Sequence, residues 1–577
     1  MPDDLFSQRP TDSFIPTLQG HLSDIWASSR KNWEKWESYY NQDFPVWSPW
    51  HNRPESRSAS PSWIVDRATD TQLAYHPMVH RIGSGGTKKD EAAADAIEPW
   101  LKEALIRTMR KQPQHVGRQA GHYLMLLGYT ALYGPVFDFQ NYLIEPRRED
   151  FPGDADGKEQ YEDALQLWEN GREDWSPFIL RAPHPSSVLL DPREKRPSYG
   201  ILVEKRFAGD VFFQFEKRRK RGGDNRMVKT GRFQRRENPF EEIEVSEFFS
   251  TRWHALWTAE EGLIFTEPNR TGFVPLNHGF SGYGSPRSGG GIKPEQLAVG
   301  VLGRVEDDII RQAQEVTTKH NILMNKGWAP MGTRGSAADI AEQMKQGGII
   351  EGVERDEVWW LQFPDVGGDL FRYGQETAED IEKGTFNLMA AGFREAGVKT
   401  LGEQEILSRA TNLKFVAPRE QMNDLFTIVG SDILRLVTFL GERIKVGGYE
   451  ISPSKIGNRY SVDVTFEVVD PQLRLSEKQF AMTEYQAGLR SKRSYWALSG
   501  VENATDMEQQ MAEDRLDSHP MTVTASMAAV AEMRGQRDLA DRLRQESEGA
   551  GMSALQEMRG DQGAREIAGN ETRPPPG

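Results

Sequence analysis

The stretch "EQLAVGVLGRVEDDIIRQAQEVTTKHNILMNKG", Glu295 to Gly327, decides the architecture. Leu302, Ile309, Val316 and Leu323 recur every seven residues, while the companion positions Gln312, Lys319 and His320 are polar. The pattern is a long helix with one narrow apolar stripe, not a sustained two-position heptad. From Ala298 to Leu323 such a helix spans about 40 Å, and it must pack sideways against other helices. A Gly/Ser-rich break, "GFSGYGSPRSGGGIKP" at 279–294, precedes it and ends in a proline suited to opening a helix.

Beyond it lies "WAPMGTRGSAADIAEQMKQGGIIEGVERDEVWWLQFP", read as a short helix near Ala337–Met344 and two strands, around Gly348–Val353 and Val358–Phe363. A second long helix, near Asp369–Glu395, returns in the opposite sense. The result is a helical hairpin carrying a small α/β tip. Trp328, Trp359 and Trp360 either fill the core of that tip or anchor an interface. Strand alternation sends Trp359 and Trp360 to opposite faces, which favours a covered interface for one of them.

Working outward toward the C-terminus, "AGVKTLGEQEILSRATNLKFVAPREQMNDLFTIVGSDILRLVTFLG" reads as a glycine-punctuated loop and a helix that Pro418 should kink or break. Tyr460, Val462, Val464, Phe466 and Val468 alternate as a half-buried strand. Helices follow in "SEKQFAMTEYQAGLRSKRSYWALSGVENATDMEQQMAEDRL" and near Thr522–Ser547, before a Gly-, Glu- and Pro-rich tail expected to be disordered.

Toward the N-terminus, Leu22, Trp26, Trp33, Trp36 and Tyr40 share one helix face, which is either a core stripe or a docking face for a neighbouring subunit. "DEAAADAIEPWLKEALIRTMRK" and "VGRQAGHYLMLLGYTALYG" read as two helices, the second buried on nearly all sides. From about Phe178, short strands separated by turns take over. Between them lies "EKRRKRGGDNRMVKTGRFQRRE", Glu216 to Glu237, with ten Lys and Arg against three acids in a chain of formal charge −15. Its place between strands favours an exposed loop, and Lys217, Arg218, Arg219, Lys220 and Arg221 are its densest part.

The chain of 577 residues is long enough for several cores, and with 27% charged residues and a mean hydropathy of −0.65 it suits a soluble, segmented protein. It has no cysteine, so disulfides and thiolate metal sites are excluded. "MPDDLFSQRPTDSF" lacks a basic and then apolar leader, and no window approaches a membrane span, so the expectation is a cytosolic or particle-borne protein without membrane contact. The glycosylation-like triplets at Asn269, Asn503 and Asn570 are then chance matches. "GSGGTKKDE" at 83–91 lacks the Gly-Lys-Ser/Thr ending of a phosphate loop, no His-Glu-x-x-His face occurs, and His122 reads as a core residue. "GFSGYG" at 279–284 misplaces a glycine for a nucleophile elbow. No catalytic, cofactor-binding or metal-binding residue is assigned, no cofactor is expected, and the chain is read as no enzyme.

This order of parts resembles the portal protein of tailed bacteriophages over about residues 90–520. Four segments carry the likeness: the buried glycine-containing helix leading to "HPSSVLLDP"; the strands ending in "NRTGFVPLNHG"; the helix, tip, helix and loop of 295–405; and "LRSKRSYWALSGVENATDMEQQMAEDRL". The resemblance implies an α+β, mainly helical portal fold. Residues 1–80 would be an aromatic-rich extension at the wing periphery, 81–293 the wing, 294–324 the first stem helix, 325–365 the clip and 366–395 the second stem helix. The tunnel loop and kinked helix would take 396–444, further wing strands 445–473, a helical crown 474–546 and a disordered tail 547–577.

By the same resemblance the chain would form a ring, commonly a dodecamer, at the capsid vertex of the virion after assembly in the host cytoplasm. Double-stranded DNA would be packaged and ejected through it. The terminase large subunit would dock on the clip, including Trp328, Trp359 and Trp360, and adaptor or tail proteins would replace it. Major capsid and scaffolding proteins would be further partners. Leu302, Ile309, Val316 and Leu323 would pack the stem, and Val398, Lys399, Thr400, Leu401 and Glu403 would face DNA in the tunnel. An acidic lining would keep a polyanionic duplex sliding, so the basic wing segment is expected to meet a protein neighbour and not DNA. The alternatives are another head-tail connector ring or a nucleic-acid-processing enzyme of the packaging machinery.

Overall fold

Helix α1 (Phe14–Tyr40) forms where the aromatic spacing requires it, and its stripe of Ile15, Leu18, Leu22, Trp26, Trp33, Trp36 and Tyr39 is buried, with Tyr40 half-buried. The indole N–H of Trp26 donates to the Leu190 carbonyl at 2.9 Å and that of Trp33 to the Leu127 carbonyl at 3.0 Å. Buried tryptophans with both ring and N–H satisfied are core residues. The stripe therefore serves as core and not as a docking face: it belongs to the larger of two main cores.

The computed structural model describes residues 8–466 apart from 47–54, 73–76, 82–87, 139–145, 147, 154, 171–175, 225–228, 232, 287–292, 328–330, 334–357, 361–367 and 386–412. Beyond 466 it describes only 481–484, 486, 527 and 542. The chain divides into two compact units, Met1–Val468 and Val469–Gly577. The expected crown and tail thus lie almost wholly outside the described residues.

After α1 come α2 (Ser60–Gln72), β1 (Pro77–Arg81), α3 (Lys88–Arg110), α4 (Val116–Leu127) and β2 (Tyr129–Phe137). Next are α5 (Ala155–Asn170), β3 (Phe178–Arg181), β4 (Val188–Leu190), β5 (Tyr199–Phe207), α6 (Ala208–Asp224), β6 (Lys229–Thr230), β7 (Glu242–Ser250), β8 (Trp253–Thr258), β9 (Gly262–Pro268) and β10 (Leu276–Phe280). The remainder comprises α7 (Pro294–Leu297), α8 (Glu306–Gly327), β11 (Met331–Thr333), β12 (Val358–Trp360), α9 (Gly368–Gly384), α10 (Val416–Leu440), β13 (Ile444–Val446), β14 (Tyr449–Ile451), α11 (Pro453–Ile456) and β15 (Val462–Phe466).

All strand pairs among the described residues are antiparallel, so the fold is mixed helix and sheet of the α+β kind. The largest sheet has the order β4-β5-β7-β8-β9-β6, and a second runs β10-β2-β3. Strand β15 alternates buried and half-buried residues as expected, and it pairs with Pro77–Arg81 of β1, far away in sequence. The second main core gathers α3, α4, β3, α10 and β13–β15.

Four expectations are corrected. The expected second helix ends at Leu127, because Gly128 adopts a left-handed φ of 68° and "YTALYG" becomes β2. That strand is buried on both faces, so it shows no alternation to betray it. The stem helix begins at Glu306 and not at Ala298. Gly300 lies so close to α4 that a Cβ there would come within 1.9 Å of the Leu126 carbonyl, and one on Gly303 within 2.6 Å of the Trp36 ring. This close docking puts Leu302 in a 3₁₀ turn, and the helix starts only after it, on the acids Glu306, Asp307 and Asp308 that favour a helix N-terminus.

Pro418 breaks nothing. It falls in the first turn of α10, where backbone N–H groups have no intrahelical acceptor, so a proline is tolerated. Finally, Lys217, Arg218, Arg219, Lys220 and Arg221 lie on α6 and not in a loop. Val211 and Phe215 of that helix bury themselves over β7–β9 in a small third core, which fixes its first half.

Candidate functional site

The part of the fold with the strongest functional expectation is the α8–α9 hairpin. Gly384 lies beside Val305, Thr377 bonds Glu315, and Gly374 lies beside Lys319, so the two helices run antiparallel. At the base, Ile309, Ala313 and Ile381 belong to the main core. Glu306 is held by Lys35 and, at 3.4 Å, by the Trp36 N–H. Lys414 Nζ donates to the Lys383 carbonyl at 2.8 Å, covering the C-terminal end of α9 where carbonyls lack partners.

Farther along α8 the seam turns polar. Glu315, Thr317, Asn321 and Thr377 are buried. The Thr317 hydroxyl exchanges hydrogen bonds with the Ser56 backbone, accepting at 3.0 Å and donating at 2.8 Å. Of the expected stem stripe, Leu302 and Ile309 are buried within the chain, Val316 is half-buried and Leu323 is 67% exposed. The four residues therefore do not form one seam: their helix turns from an intrachain core at one end to an open surface at the other.

At the tip, β11 pairs with β12 in the register Met331–Trp360, Gly332–Trp359 and Thr333–Val358. Met331–Thr333 as a strand was missed, three residues between Pro330 and Arg334 being too short for a periodic signal. The backbone of Trp359 and Trp360 is placed in β12. Trp328, the tip helix expected near 337–344 and the strand expected near 348–353 lie outside the described residues, as do Val398, Lys399, Thr400, Leu401 and Glu403 of the expected tunnel loop.

Elsewhere, titratable groups are used to hold the fold. Burial alone would raise the Glu247 carboxyl, but Arg206 and His254 hold it well below the usual carboxylate range. His254 sits between Glu247, at 2.8 Å, and Glu267, at 3.1 Å. In α10, burial pushes Asp432 up to about 6 despite Arg196 and Arg435 beside it. Arg196 belongs to the β4–β5 connection, whose Lys195 also reaches Asp424 of α10 at 2.5 Å and whose Glu194 carbonyl accepts from His278 Nε2 at 2.7 Å. His122 is mostly buried in α4, which lowers its proton affinity, and packs edge-on against Tyr40. Ser281 of "GFSGYG" donates to the Val299 carbonyl. Among the described residues no group of three or more His, Asp or Glu could hold a metal, and no helix is long and apolar enough to cross a membrane.

The fold and hairpin together define an α+β chain in which a helix pair with a stranded tip grows out of a mixed core. No protein-family model matches the chain, and no curated protein does. Among solved structures, a chain from the neck of an empty GTA particle computed with C6 symmetry aligns with a TM-score of 0.36 and 10% identity, covering 78% of this chain and 91% of that one. A chain from the virion of a native gene transfer agent (GTA) particle aligns with a TM-score of 0.32 and 9% identity, covering 73% of this chain and 92% of that one.

Proposed function

We propose that the chain is a portal-type structural subunit of a tailed-phage-like particle, forming a closed ring at the capsid vertex through which double-stranded DNA passes. The observation that carries this reading is the antiparallel α8–α9 hairpin, rooted in the core at Ile309 and Ile381 and joined at its tip by β11 and β12. A hairpin that leaves Leu323 and Tyr373 of its outer half exposed suits side-by-side packing of several copies. In this reading the tip receives the packaging motor and later the tail adaptor, residues 396–412 approach DNA, and α6 presents its basic half to a capsid neighbour. The chain performs no bond chemistry. Sedimentation of the purified protein, combined with an ATPase assay, tests this: a large closed oligomer without nucleotide hydrolysis is expected, and a monomer that hydrolyses ATP would replace the reading with that of a motor.

A further inference from the structure

The largest sheet contains a strand that is only half used. Strand β5 pairs with β7 along its full length, Tyr199 to Phe207, but on its other side β4 covers only Gly200–Leu202. Among the described residues no strand pairs with Val203–Phe207 on that side. The chain leaves this position because Pro185–Ser187 forms a 3₁₀ turn immediately before β4, so the line of β4 stops where an open edge begins. An edge of this kind offers unpaired N–H and C=O groups, and proteins usually cover it. Here it opens instead into a cleft of about 820 Å³, bounded by Val203–Arg206, by Ser186 and Ser187, by Arg181 of β3 and by the first turns of α6.

The charges around the cleft are of two kinds. Arg181 and Arg206 are both engaged, with Glu204 at 3.3 Å and 3.2 Å respectively, and Arg206 also with Glu247 behind it. Lys205, Asp210 and Glu244 line the cleft and are exposed, and among the described residues no ion pair involves them. The uncompensated charge is therefore acidic, two carboxylates against one amine. Phe213, 56% exposed, supplies an apolar wall. Five residues of open edge extend about 17 Å, enough for a strand of that length to pair.

We propose that this cleft captures an extended, lysine- or arginine-bearing segment of another protein by adding it as a strand beside Val203–Phe207. Main-chain hydrogen bonds supply the affinity, and the exposed carboxylates of Asp210, on α6, and of Glu244, one strand behind the edge and directly across from Lys205, select basic side chains. The exposed carboxylates argue for a foreign basic segment over a second copy, which is acidic overall and whose one strongly basic stretch, Glu216–Glu237, is partly committed to α6 and β6 of its own fold. The inference does not depend on ring formation.

The test titrates the full-length protein with three labelled, acetylated pentapeptides: alternating lysine and valine, the same with glutamate for lysine, and the lysine peptide N-methylated at alternate backbone nitrogens. Anisotropy reports binding, and deuterium exchange reports the amides of Val203–Phe207. The lysine peptide should bind and slow exchange there, with the other two binding at least about tenfold more weakly. The double variant Asp210→Asn, Glu244→Gln should lose about tenfold in affinity for the lysine peptide with unchanged thermal unfolding. Equal binding of the N-methylated or glutamate peptide would overturn the proposal, as would binding without protection of Val203–Phe207. Protection that appears without peptide and grows with protein concentration would assign the edge to a second copy and overturn it too.

Discussion

Thr377 of α9 donates a 2.6 Å hydrogen bond to the buried Glu315 carboxyl of α8, and this contact ties the two hairpin helices together beyond their apolar base. Removing the donor leaves an acceptor buried with a weaker set of partners. Thr377→Val should cost about 1–3 kcal/mol in urea unfolding, and Thr377→Ser should recover most of it. A loss in Thr377→Ser with none in Thr377→Val would show that the methyl group and not the hydroxyl matters.

Two glycines separate close approach from mere helix propensity. Gly303→Ala drives a Cβ into the Trp36 ring and should destabilise by about 1–3 kcal/mol. Gly20, on the exposed face of α1, has nothing within 4 Å of the place an alanine methyl would occupy, so Gly20→Ala should stabilise by about 0.5–1 kcal/mol. Thermal unfolding of both variants checks the pair.

These glycines also mark where sequence reading succeeds and fails. The aromatic stripe of α1, the alternation of β15 and the two stem helices were legible because burial on one face imposes a period on residue types, although α9 stops at Gly384, short of the Glu395 expected for it. Strand β2 was not, since burial on both faces erases the period, and neither was the delayed start of α8, which is set by Gly300 and Gly303 meeting Leu126 and Trp36 far away in sequence. The basic segment misled because α6 is anchored by Val211 and Phe215, upstream of the charges that attract notice. Of the expected functional residues, Ile309, Val316 and Leu323 of the stem and the β12 tryptophans were legible as elements, and Leu302 was not. Whether an apolar stem residue serves the core or the surface depended on what lay opposite it: Ile309 meets the core, and Leu323 does not.

Asp432 gives the fold a pH signature. Its carboxyl rises from 3.8 to about 6 on folding, through burial that Arg196 and Arg435 only partly offset. The folded state therefore keeps a proton that the unfolded chain releases between those values. This contribution to stability is full below about pH 4 and is lost as pH rises through about 6. Asp432→Asn cannot ionise, so its stability relative to the native chain should climb by roughly 3 kcal/mol between pH 4 and 7 and then level off. Denaturant midpoints across that range decide it, and a difference that does not change with pH would contradict it.

Ile309 and Leu323 lie on the same helix and should respond differently to the same change. Ile309→Asp places an unpaired charge in the intrachain core and should unfold the subunit or destabilise it by several kcal/mol. Leu323→Asp acts on an exposed side chain and should alter monomer stability by less than about 0.5 kcal/mol. If copies pack side by side through the outer hairpin, Leu323→Asp should nevertheless reduce assembly in sedimentation. Normal assembly by a folded Leu323→Asp protein would remove this residue from the subunit contact.

The ring itself is tested most directly by electron microscopy of the purified, negatively stained protein. Closed rings of uniform copy number are expected, with a central hole wide enough for a DNA duplex, about 20 Å or more across given the dimensions of its grooves. Discrete compact monomers or open filaments, at concentrations where the protein is folded, would contradict it.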